Sequence, residues 1–121
     1  MKIVIPVDEE NINTKISQSF GRASYFLIYN ENDKTTEFIK NESMNSQGGA
    51  GIKASQLMVD LKIDAIITPR CGQNAAEVLN MANIKIYESD NNIAIENIKL
   101  YEQDKLFILN DIHLGHHGHQ K

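Results

Sequence analysis

Residues 48–87 read GGAGIKASQLMVDLKIDAIITPRCGQNAAEVLNMANIKIY, and this stretch decides the fold. After the glycines, Ala54, Leu57, Met58 and Leu61 recur at i, i+3, i+4 and i+7, one apolar stripe of a helix expected from about Gly51. Ala75, Val78, Leu79 and Ala82 repeat the spacing, so a second helix is expected from near Asn74. Between them stands Ala65-Ile66-Ile67, a short β-branched apolar run bounded by Pro69, which reads as a strand buried on both faces. A strand, a helix and another strand within this length imply a right-handed parallel crossover.

Upstream, Ile3, Val4, Ile5 and Val7 mark a first strand, with Pro6 expected near its end or at a bulge. Residues 8–11 are an acidic loop, and residues 19–22 a turn whose Gly21 is able to take positive φ. Residues 25–29 and 35–39 read as a hairpin across the polar turn Asn30-Glu31-Asn32-Asp33. Downstream, a polar turn at 89–92 precedes a third helix over 93–103, then a short apolar piece at 106–109. The order β-β-β-α-β-α-β-α predicts an α/β fold: a mixed five-stranded sheet with helices on both faces, the second strand antiparallel to the rest and the strand at 64–68 central. A single domain is expected over 1–109. Residues 110–121 carry no apolar face and are expected to form a flexible His-rich tail.

Composition narrows the function. The chain of 121 residues is 41% hydrophobic and 23% charged, which suits one globular core. A net charge of −4 with scattered basic residues argues against a nucleic-acid surface. No apolar run approaches a membrane span, the first residues do not read as a signal peptide, and the lone Cys71 fits a reducing compartment. A cytoplasmic protein is expected.

Strands one, three, four and five are expected to run the same way, so the loops at 8–11, 42–51, 68–72 and 88–91 meet at one edge, where open α/β sheets bind ligands. Asp8 lies in the first. Gly48, Gly49 and Gly51 open one helix and leave backbone N–H groups approachable, an arrangement that suits an anion or only a tight turn. Cys71 sits between Arg70 and Gly72 at the start of the next helix, where Asn74 and Glu77 could form a cap. Positive charge and the helix dipole would lower its thiol pKa and make it a thiolate metal ligand; the alternative is an inert, buried small hydrophobe. The segment before the tail holds no histidine to act as a base, which argues against nucleophilic catalysis. His113, His116, His117 and His119 all lie in DIHLGHHGHQ, a short His-rich tract able to bind a divalent metal, though at no closed structural zinc spacing.

The segments Met1-Lys2-Ile3-Val4-Ile5-Pro6-Val7-Asp8, Phe20-Gly21-Arg22-Ala23, Gly48-Gly49-Ala50-Gly51, Gly72-Gln73-Asn74-Ala75 and Ile84-Lys85-Ile86-Tyr87 resemble the dinitrogenase iron-molybdenum cofactor biosynthesis family, the NifX/NafY-like domain. The resemblance covers about residues 1–106. It implies a ribonuclease-H-like α/β fold and non-catalytic binding of an iron–sulfur or iron–molybdenum type cluster or its precursor. Through the quoted motifs it adds Arg22 to Asp8, Gly48, Gly49, Gly51, Arg70, Cys71 and Gly72 as cofactor-binding residues. Family members often carry histidines where this chain has Ser19 and Gln47, so those ligands do not transfer.

Three classes of function follow. A carrier would hold an anionic cluster at the loop edge, with a soft sulfur ligand from Cys71, and pass it to or from a protein partner. A ribonuclease-H-like nuclease would need carboxylates converging on two ions. Asp8 is at the right edge for that, but Asp64 precedes its strand and Asp60 ends its helix, so the carrier is preferred. A metal-free regulatory or interaction module is the alternative.

Overall fold

A computed structural model describes residues 1–109; the four tail histidines and the expected flexibility of 110–121 lie outside the described residues. The elements are β1 (Lys2–Val7), β2 (Tyr25–Asn30), β3 (Thr35–Lys40), α1 (Ala50–Asp60), β4 (Ala65–Thr68), α2 (Gln73–Met81), β5 (Lys85–Glu88) and α3 (Ala94–Glu102). They form one sheet in the order β3-β2-β1-β4-β5. β2 is antiparallel to both β1 and β3, whereas β1, β4 and β5 are parallel. The expected mixed five-stranded sheet is therefore present. The middle position belongs to β1 rather than β4, because the hairpin adds two strands beyond β1 and the crossovers add two on its other side.

Alternation along the strands sorts side chains onto two faces. Val4, Phe26, Ile28, Ile66 and Ile86 pack with Ala54, Met58, Ala75, Ala76 and Leu79 of α1 and α2. Ile3, Ile5, Val7, Leu27, Tyr29 and Ile67 pack with Ala94 and Ile98 of α3. Leu57 and Leu61 only border the first cluster, while Ser55 is fully buried. That polar side chain is satisfied: its Oγ lies 2.8 Å from the Gly51 carbonyl oxygen and 3.2 Å from that of Ala75, tying α1 to α2.

Pro6 is the penultimate residue of β1. Pairing with β4 is recorded only at Ile3 and Val4. Beyond it the 14–17 segment takes over: the Ser17 N–H donates to the Pro6 carbonyl and Ile16 bridges Val7. The missing N–H of proline thus falls where the parallel ladder has ended. Residues 107–109 run against the outer side of β5, with Leu109 buried in the core and Phe107 exposed. Among the described residues no helix is long and apolar enough to cross a membrane.

Candidate functional site

The C-terminal ends of β3 and β4 lead into α1 and α2, so both helices begin at the same sheet edge. Each begins on a glycine. Gly49, the N-cap of α1, has φ 70° and ψ 18°, a left-handed conformation that costs a glycine least. Gly72, the N-cap of α2, is extended at φ −69° and ψ 160°. Glycine has no side chain to accept a bond, and among the described residues neither helix has a side-chain cap, so the first-turn N–H groups are not satisfied by a cap. The cap expected from Asn74 and Glu77 does not form. With Gly72 at the cap, Asn74 lies inside the first turn, and the Glu77 carboxylate accepts from the Gln73 amide at 3.4 Å.

The two helix starts open onto one cleft of about 770 Å³, within the range of small-ligand sites. Its walls come from residues 18–22, 49–52 and 70–75. Of the residues named from the sequence, Arg22, Gly49, Gly51, Arg70, Cys71 and Gly72 line it. Gly48 and Asp8 do not. Asp8 is exposed at the end of β1, its N–H bonded to the Lys15 carbonyl, and Asp64 is at the opposite end, accepting from the Lys2 N–H at 2.9 Å. Among the described residues the lining contains two arginines, Arg22 and Arg70, and no acidic residue.

Cys71 is buried on this cleft, packed in the core cluster shared by α1 and α2. Desolvation pushes its thiol up to about 11. Burial thus acts on this thiol in the direction opposite to the lowering expected from the helix start and Arg70. Among the described residues no group of three or more His, Cys, Asp and Glu side chains is arranged to hold a metal ion.

Asn41, for which the sequence suggests no role, ties the end of β3 to the 20–23 turn. Asn41, 2% exposed, donates from Nδ2 to the carbonyls of Gly21 and Ala23, both at 2.9 Å, and accepts from the Ser43 N–H at 3.0 Å. Arg22 donates to the carbonyls of Met44 and Ser46 at 3.0 and 2.8 Å, closing the turn before the glycine loop. Gly21 is needed for contact, not for positive φ: a Cβ there would stand 2.7 Å from both the Cα and the N of Gly51. An asparagine just after a strand and ahead of a polar turn is the only sequence signal of this arrangement. Gln18, Ser19, Phe20, Gly21, Ala50, Ile52, Gln73, Asn74 and Ala75 make up the lining not expected from the sequence.

The whole fold recurs in solved structures. The apo orange protein from Desulfovibrio gigas superposes with a TM-score of 0.84 at 20% identity, covering 90% of this chain and 92% of that one, a likeness of fold alone. A candidate NifB protein from Thermotoga gives 0.80 at 27% identity, covering 92% and 95%. A candidate dinitrogenase from Methanocaldococcus jannaschii gives 0.70 at 26% identity, covering 91% and 95%. No curated protein matches the chain. The family model described as "Dinitrogenase iron-molybdenum cofactor" matches residues 1–104. With a match over most of its 121 residues, carrying both helix starts and the whole cleft lining, the chain belongs to that family.

Proposed function

We propose that this protein is a non-catalytic carrier that holds an anionic metal–sulfur cluster, of iron–sulfur or iron–molybdenum type, or its precursor, in the cleft between the starts of α1 and α2. One observation carries the reading: two glycine-capped helix N-termini without side-chain caps open beside Arg22 and Arg70 onto a cleft that, among the described residues, is lined by no acid. Helix N-termini and guanidinium groups favour anions, and backbone N–H groups suit the sulfide or oxide surface of a cluster. The family description, which names the iron–molybdenum cofactor, points to the same cargo.

Cys71 enters this reading as a neutral, polarisable part of the wall. Ligation through it would first have to remove a proton held up to about 11. In this reading charge and hydrogen bonding do most of the holding, which leaves the cargo free to be handed to a donor or acceptor protein. His113, His116, His117 and His119 are proposed as a separate site for a borderline divalent metal, on the strength of their spacing in the sequence.

Anaerobic incubation with ferrous iron, sulfide and molybdate, followed by gel filtration, metal and sulfide analysis and a visible spectrum, tests the reading. Co-elution of metal and sulfide with an absorbance band is expected. A chain that emerges metal-free, or carries metal without sulfide, would favour the metal-free interaction module or the tail site respectively.

A further inference from the structure

Asn41 is fully committed. Its Nδ2 donates to two carbonyls on the 20–23 turn, its Oδ1 accepts from Ser43, and its own N–H donates to the Ser24 carbonyl. It sits outside the cleft lining, 2% exposed, at the point where β3 ends and the lead-in to α1 begins. The carbonyls it holds flank Arg22, a lining residue, and one belongs to Gly21, which lies against Gly51 and Ala50 in the first turn of α1. The 20–23 turn is thereby fixed on one side by Asn41 and pressed on the other against the helix start. Arg22 adds a second tie, from the same turn to the Met44 and Ser46 carbonyls.

We infer that Asn41 is a positioning residue for the cleft: through Gly21 and Arg22 it sets the place of one wall relative to the start of α2. The inference rests on the carrier reading for the cleft's purpose, but not for its geometry. Removing the amide leaves the Gly21 and Ala23 carbonyls without their donor and frees the turn that braces α1. The wall would then move while the sheet and α2 stay in place.

Asn97 supplies a matched control. It is also fully buried, and its side chain binds Asp90, Asn91 and Ile93 around the start of α3, on the opposite face of the sheet. Asn41→Ala and Asn97→Ala each strip a buried asparagine of several bonds, so a merely structural role would make them alike. The Cys71 thiol, in the cleft wall, reports the difference.

The experiment is the rate of Cys71 alkylation by N-ethylmaleimide at pH 8 in the native chain, paired with iron and sulfide retained after anaerobic loading. Asn41→Ala is expected to speed labelling about tenfold over wild type, the size of one lost buried bond, whereas Asn97→Ala stays near wild type. Asn41→Ser, with one hydroxyl for two carbonyls, is expected to fall between, and it keeps the comparison open if the alanine variant does not fold. Equal labelling of wild type and the folded Asn41 variants would overturn the inference, as would equal acceleration by Asn97→Ala. The loading arm separates the two ideas. If wild type retains no cluster yet Asn41→Ala still opens Cys71, the positioning role stands and the carrier reading fails. If wild type loads and Asn41→Ala loads equally well despite open labelling, the wall does not position the cargo and the inference fails.

Discussion

The backbone of Gly51 stands where a side chain on Gly21 would have to go: a Cβ on Gly21 would come within 2.7 Å of both the Cα and the N of Gly51. Two chain segments 30 residues apart in sequence therefore meet backbone to backbone, and the start of α1 is held by that contact. Neither atom can swing aside as the end of a flexible side chain could. Gly21→Ala is expected to destabilise the fold by about 1–3 kcal/mol, as overpacking does, read as a lower urea midpoint with unchanged slope. An unchanged midpoint would mean that the contact yields freely.

Ile66 is fully buried in β4, between α1 and α2 on one side and its strand neighbours on the other. Ile66→Ala removes methyl groups from a packed interior and is expected to cost about 2–5 kcal/mol in chemical denaturation. A loss below about 1 kcal/mol would place the residue in a site able to collapse.

These two positions mark how far the sequence could be read. Ile66 was legible because a short β-branched run between two helical stripes has one sensible place in a parallel sheet. The sheet order beyond it was less so: nothing local to β4 says that the hairpin extends the far side of β1 and moves the centre there. At the cleft, glycine clusters and a cysteine before a helix pointed to the right edge. At Gly21 the sequence suggests positive φ, whereas the constraint is a neighbour 30 residues away, which no local pattern encodes. Asn41 was hidden for the same reason, since its partners lie 18 to 20 residues back in the chain. At Cys71 the helix start and Arg70 are visible in sequence, whereas desolvation, which pushes the thiol the other way, depends on what packs around it.

The Cys71 thiol makes a pH prediction. Folding raises its pKa from the ordinary 9.0 to about 11, so the folded state keeps a proton that the unfolded chain releases between those values. The contribution is intact below pH 9 and is lost as pH rises toward 11, because the unfolded state then binds fewer protons. Stability of wild type is expected to fall over that window by on the order of 2–3 kcal/mol more than that of Cys71→Ser. Parallel alkaline curves for the two proteins would show that the thiol ionises in place.

The histidine tract makes another. Truncation after Asn110 is expected to abolish tight nickel or zinc binding, measured by calorimetry, and leave cluster loading intact. In the full chain that affinity is expected to drop as pH falls through about 6.5, since imidazole must be neutral to ligate. Loss of the cluster on truncation would join the tail to the cleft.

The cleft's charge is tested most directly by the iron and sulfide retained per chain after anaerobic loading and gel filtration at low salt, compared across wild type, Arg70→Glu and Cys71→Ser. If backbone N–H groups and guanidinium charge hold the cargo, wild type and Cys71→Ser retain it alike. Arg70→Glu, which places a carboxylate on the cleft, should then bind about 10- to 100-fold more weakly. Retention by Arg70→Glu equal to wild type, or its loss in Cys71→Ser alone, would contradict an anion site and make the thiol the ligand after all.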